Sequence, residues 1–193
     1  MSRSTSTDRP APAQRASAPD PHATSGGALS TPRPANFPRQ GEVHEQLRGP
    51  NFTLARIGKP IDLTRYGVRH PALPDTIRGK LFLKEVLDLT AMEISYGLIP
   101  PQRSIPFYHK HQQNEEVYLF LSGAGDFQVD GQAVAIEEGT AVRVAPEGVR
   151  ACRNTSDEPM FYIVIQAKSG SLEQWTGSDG VGVPGEVQWP AAG

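Results

Sequence analysis

From residue 92 onward, apolar and polar positions alternate in short runs separated by turn residues. Met92, Ile94, Tyr96 and Leu98 take every second position before Pro100 and Pro101, the pattern of a half-buried strand that enters a turn. A second strand is expected to begin near Ile105. The run Val117 to Leu121 is almost wholly apolar and ends at Ser122 and Gly123. Phe127 and Val129 then alternate with polar residues up to Asp130 and Gly131, a pair that tolerates the positive φ of a tight hairpin turn. Val134 and Ile136 alternate before Glu138 and Gly139, Val142 and Val144 lead to Pro146, and Phe161 to Ile165 forms a last apolar run. Short strands at regular spacing with turns between them predict an all-β sandwich or barrel.

The flanks read differently. Residues 1–50 are Ser, Thr, Ala, Pro and Gly with scattered charge, too poor in large aliphatic side chains to offset the entropy of ordering, and are expected to form a disordered tail. Residues 51–90 hold Phe52, Leu54, Ile57, Ile61, Leu63, Tyr66 and Val68, interrupted by Pro60, Pro71 and Pro74. The prolines exclude a continuous helix, so this segment is expected to be an extended arm, with a short element packed on the barrel. The pattern Leu81, Leu83, Val86, Leu87 and Leu89 fits a short helix as well as a strand. Residues 91–168 would form the barrel and 169–193 a C-terminal tail, with a helical turn around Leu172 to Trp175. Trp175 and Trp189 are expected to pack on the barrel or across a dimer interface.

Composition narrows the function classes. A chain of 193 residues fits one domain of ordinary size. Its formal net charge of −2 and the lack of a Lys/Arg stripe argue against a nucleic-acid partner. Cys152 is the single cysteine, which excludes an internal disulfide and suits a reducing compartment, with the cytoplasm as the expected location. No apolar run approaches the ~20 residues needed to cross a bilayer, and no secretory apolar segment opens the chain. Asp8, Asp20 and many prolines break any amphipathic transit helix. A soluble protein without a membrane partner is expected.

Candidate chemistry gathers at one point. His109 and His111 are two apart on a predicted strand, so their imidazoles share a face while Tyr108 and Lys110 take the other. Glu116 opens the next strand, and a turn through Gln112, Gln113 and Asn114 would return its carboxylate alongside them. Two imidazoles and one carboxylate on one face suit iron(II), with manganese, zinc or nickel as alternatives. By parity Tyr118 and Phe120 share the face of Glu116, where they either line a ligand cavity or fill a narrow barrel as core aromatics. Val117, Leu119 and Leu121 face the opposite side and are expected to form core. His22, His44 and His70 lack ligand spacing and are read as solvent-facing or structural, and Cys152 as a small buried residue.

These residues resemble the first motif of the cupin family, His-x-His, a short gap, Glu, six residues and Gly, matched here by His109, His111, Glu116 and Gly123. Glu115 also falls within the tolerated gap, but only Glu116 keeps the family's separation from Gly123. The second motif is similar through Gly139, Val144, Pro146, Gly148 and Asn154, so the resemblance spans residues 92–165. It implies a double-stranded β-helix, or jelly-roll, barrel and pairing into a homodimer. It also implies a class that includes metal-dependent dioxygenases, decarboxylases and sugar isomerases beside non-catalytic storage and sensing proteins. Two departures stand out. Gln102 or Arg103 replaces the glycine before the first histidine, and Arg150 or Ala151 falls where the fourth ligand, a histidine, is expected. Arg150 would either hold a substrate carboxylate or phosphate beside a bound metal, or pair with Glu116 in a metal-free site. The leading expectation is a metal-dependent enzyme acting on a small polar or anionic molecule, with His109, His111 and Glu116 as ligands and Tyr118, Phe120 and Arg150 at the ligand pocket. The alternative is a non-catalytic binding or sensing module without metal.

Overall fold

A computed structural model describes residues 35–37, 45–69 and 75–190. Most of the expected N-terminal tail, together with His22, His44 and His70, lies outside the described residues. Six short elements precede the barrel strands. They are β1 (Ala35–Phe37), β2 (Glu45–Gly49), β3 (Phe52–Arg56), a 3-10 helix (Pro60–Arg65), β4 (Gly67–Arg69) and β5 (Ile77–Arg78). Strands β1 and β2 fall inside the range read as tail. The Pro50-Asn51 turn closes the β2–β3 hairpin, in which Gly49 faces Phe52.

The ambiguous stretch near Leu81 contains both a strand and a helix, β6 (Lys80–Phe82) followed by α1 (Lys84–Leu87). Seven strands follow: β7 (Glu93–Ile99), β8 (Asn114–Ser122), β9 (Ala124–Val129), β10 (Gln132–Glu137), β11 (Ala141–Val144), β12 (Arg150–Asn154) and β13 (Met160–Lys168). A five-stranded sheet in the order β11-β8-β13-β7-β6 faces a three-stranded sheet in the order β10-β9-β12. Asp130 and Gly131 adopt φ values of 50° and 83°, and this two-residue turn sets the β9–β10 register with Val129 opposite Gln132.

The barrel core takes residues from both sheets: Tyr118, Phe120, Met160, Tyr162 and Val164 on one side, Phe127, Ile136 and Cys152 on the other. The rings of Tyr118 and Phe127 meet edge to face across the interior, with centroids 4.8 Å apart. Parity along β8 is as expected, but the core assignment is reversed. The face of Glu116, Tyr118 and Phe120 is buried, whereas Val117 and Leu119 are half-buried on the outside and Leu121 is exposed. Alternation fixes which residues share a face; it does not say which face a second layer covers.

Strand β7 is covered on both sides. Ser95, Gly97 and Ile99 are buried on one face, while Leu98, with Ile94 and Tyr96 packed around it, joins a second cluster with Leu63, Tyr66, Leu81 and Val86. The segment before the barrel therefore supplies a second apolar layer. In the C-terminal tail the helical turn lies at Thr176–Asp179, beyond the expected position, and Trp175 and Trp189 are exposed instead of packing on the barrel.

Candidate metal site

His109 and His111 do not lie on a regular strand. Residues 104–111 run beside β12 and are tied to it by isolated bridges, Ser104 to Arg153 and His109 to Arg150. Pro106 has no N–H to donate, which interrupts the ladder. The backbone still directs both imidazoles the same way: Arg150 N donates to His109 O at 3.0 Å, and His111 N donates to Pro146 O at 2.9 Å. Glu116 enters from β8, facing inward.

The three side chains converge, with one possible ligand atom from each lying within 4.8 Å of the others. His111 Nε2 is 2.9 Å from Glu116 Oε1, and His109 Nε2 is 3.8 Å from Oε2, too far for a hydrogen bond. The Nδ1 atom of His109 is buried without a hydrogen-bond partner among the described residues. The Nε2 of that ring has only the distant Glu116 Oε2 beside it among the described residues, whereas Glu116 is held from several directions. Its Oε2 accepts from Tyr118 Oη at 2.6 Å and from Arg150 Nε and Nη2 at 3.0 and 2.5 Å. Arg150 Nη1 donates to Gly148 O at 3.0 Å. Burial works to raise the Glu116 pKa, but the two imidazoles, the Tyr118 hydroxyl and the Arg150 charge together hold it well below the usual carboxylate range. Burial and the adjacent carboxylate push Tyr118 upward, so its phenol stays protonated and donates.

Of the residues placed at the pocket from sequence, Arg150 is buried, 1% exposed, and committed to Glu116. Tyr118 touches the site through its hydroxyl. Phe120 lies in the core beneath it, its ring 6.2 Å from Phe127 and 6.0 Å from Tyr162. Glu115 points outward to Arg143, which removes it from the ligand set. A cavity of about 470 Å³ lies elsewhere, against Ser104 to Tyr108, with Asp126, Gln128 and Arg153 among its lining. Burial pushes the Cys152 thiol up to about 12, consistent with an inert core position.

One charged group escaped the sequence reading. The Lys80 ammonium lies over the rings of Phe82 and Tyr162, 5.6 and 5.0 Å from their centroids. Burial pulls it down to about 8, against the raising influence of Glu116 and Glu93. Lys80 and Phe82 flank Leu81, which belongs to the outer cluster, so the alternation was present in the sequence, and a lysine on the inner face was its unusual member.

The architecture and this site define a small β-barrel protein with a metal-type ligand group facing its interior. A family model described as a cupin domain matches residues 96–166. A cupin protein from Bacteroides fragilis is 37% identical, aligned over 60% of this chain and 96% of its own, with a TM-score of 0.53. The chain belongs to the cupin family. A predicted oxalate decarboxylase from Thermotoga maritima is similar at 23% identity, over 49% of this chain and 82% of its own, with a TM-score of 0.43. A protein with a double-stranded β-helix domain from Klebsiella pneumoniae is similar at 17% identity, over 61% of this chain and 94% of its own, with a TM-score of 0.46. No curated protein matches the chain. Among the described residues, no helix is long and apolar enough to cross a membrane.

Proposed function

We propose that this cupin is a metal-dependent enzyme acting on a small polar or anionic molecule, with His109, His111 and Glu116 holding one divalent ion of iron, manganese, zinc or nickel. The observation that carries the reading is the convergence of three donor atoms within 4.8 Å around an imidazole, His109, whose buried Nδ1 has no hydrogen-bond partner among the described residues. Two neutral imidazoles and an ionised carboxylate suit all four ions. A bound ion would supply a Lewis acid or an oxygen-binding centre. The protein's own part is to fix the donors: Tyr118 and Arg150 clamp the Glu116 carboxylate, and the backbone of Arg150 and Pro146 sets the two imidazoles. The histidine side chains are 29% and 27% exposed, which leaves the site reachable from solvent.

A second reading, a non-catalytic binding barrel without metal, is favoured by one observation, the Arg150–Glu116 pair that already neutralises the carboxylate. Elemental analysis of protein purified without a histidine tag, beside a His109→Ala, His111→Ala variant, separates the two. The enzyme reading expects near-stoichiometric metal in the parent and none in the variant. A metal-free parent whose melting temperature ignores all four added ions would favour the second reading.

A cytoplasmic homodimer belongs to the same proposal. Support for pairing comes from the apolar outer face of β8 and β13, where Val117, Leu119, Ile163 and Ile165 are half-buried and Leu121 is exposed, and from exposed Trp175 and Trp189.

A further inference from the structure

Arg150 stands where the family's second motif carries a histidine, and it holds one of the three candidate ligands. We propose that this exchange makes metal binding depend on an anion, so that a divalent ion enters the site together with a small dianion that completes its charge. The inference rests on the metal-binding reading above and adds to it the class of co-ligand.

His109 and His111 are neutral when they act as ligands, so Glu116 is the only anionic donor in the set. Its charge is already matched by the Arg150 guanidinium, which bonds Oε2 through Nε and Nη2 and is anchored on Gly148 O. That guanidinium is 1% exposed and cannot swing into solvent, and arginine does not lose its proton. A divalent ion added here would keep both of its charges uncompensated beside a carboxylate that is 4% exposed, an arrangement that burial makes costly. With histidine at position 150 the carboxylate would offset one of them.

Lys80 strengthens the imbalance. Its charge is influenced by Glu116 and Glu93, and it rests on the ring faces of Phe82 and Tyr162. The inner face thus pairs two fixed or potential cations with the one carboxylate of the ligand set. The accessible side of His109 and His111 is where an anion can approach, and a dianion restores neutrality.

Calorimetric titration of the full-length, tag-free protein tests this, with manganese(II), zinc(II), nickel(II) and anaerobic iron(II) in turn. Each ion is titrated alone and in the presence of sulfate, a dianion that binds divalent ions only weakly. The expected result is an apparent affinity at least about tenfold tighter with the dianion. In an Arg150→Gln variant, checked for an intact melting transition, the ion should bind alone and the dianion should add little. Equal affinity with and without dianion in the parent overturns the inference while leaving the metal site standing. Persistence of the dependence in Arg150→Gln also overturns it, because the cause would then lie elsewhere. Binding of no ion under any condition overturns the metal reading itself, and the dependence falls with it. If Arg150→Gln does not fold, the parent titrations decide alone.

Discussion

Two adjacent carboxylates on β8, Glu115 and Glu116, each pair with an arginine on opposite faces of the same sheet. Glu115 meets Arg143 on the outside, where the two side chains are 35% and 56% exposed. Glu116 meets Arg150 on the inside, where they are 4% and 1% exposed. One step along the strand separates a solvated pair from a buried one, because strand parity sends neighbours to opposite faces. The chemistry is the same and the energetics are not. An exposed pair of this kind contributes about 0–1 kcal/mol, since water and salt screen it and two long side chains lose freedom. A buried pair gains little net stability over an apolar pair, yet removing one partner costs about 3–5 kcal/mol, because a charge is left without compensation. The inner pair therefore acts as a charge lock on a candidate metal ligand, while the outer one is a surface contact.

The largest effect is expected from opening that lock. In protein stripped of metal, Arg150→Met should lower the unfolding free energy by about 3–5 kcal/mol, measured by urea denaturation. A Glu116→Met, Arg150→Met double variant should recover most of the loss, since neither charge is then stranded. If the double variant instead loses the sum of the two single changes, the residues act independently and the contrast between the two faces collapses.

Lys80 offers an intermediate case, an inward cation set over two aromatic rings. Its folded pKa of about 8 lies below the ordinary value of 10.5. The unfolded chain therefore binds more protons between those values, and this group makes stability rise with pH across that window. Below about pH 8 lysine is charged in both states, and the penalty of burying it is felt in full. The groups that influence it are Glu116 on β8, Glu93 on β7 and Cys152 on β12. Burial lifts Cys152 to about 12, so it acts in the opposite direction at alkaline pH, equally in parent and variant. Lys80→Met should melt about 2–4 °C higher than the parent at pH 7, corresponding to ~1 kcal/mol. The gap should narrow steadily toward pH 9.5. A gap independent of pH would mean that the gain comes from apolar packing and not from relief of a buried charge.

How much of this was legible in the sequence follows from the same parity. The Asp130-Gly131 hairpin and the shared face of Glu116, Tyr118 and Phe120 follow from turn chemistry and a period of two, and the grouping of His109, His111 and Glu116 was legible in their spacing although the two histidines lie outside a regular strand. What could not be read is which face a second layer covers. Val117, Leu119 and Leu121 look like core because they are apolar, yet the interior is built on the face that carries a glutamate and a tyrosine. Ile94, Tyr96 and Leu98 serve the outer cluster because the segment before the barrel folds over them, a contact distant in sequence. Positions 150 and 151 both fell where the family's fourth ligand is expected, and the choice of Arg150 between substrate and Glu116 depends on Gly148 O, which anchors the guanidinium beside the carboxylate. Lys80 was overlooked because an inward lysine on a short strand carries no motif.

The smallest effect is expected on the outer face. Arg143→Met removes the Glu115 partner but leaves a carboxylate that is 35% exposed and able to recover its hydration. Arg143 shares the outer face with Val117, its register partner across β8 and β11, so methionine there adds apolar contact as it removes charge. The two changes oppose each other, and the net shift should lie within about 1 kcal/mol. Raising the salt concentration should shrink whatever difference remains, since the exposed pair is screened over about 10 Å or less at 0.1 M ionic strength and above. The inner pair, shielded by the barrel, should respond to salt far less. A loss in Arg143→Met comparable to that in Arg150→Met would show that position on the strand, and not exposure, sets what each pair is worth.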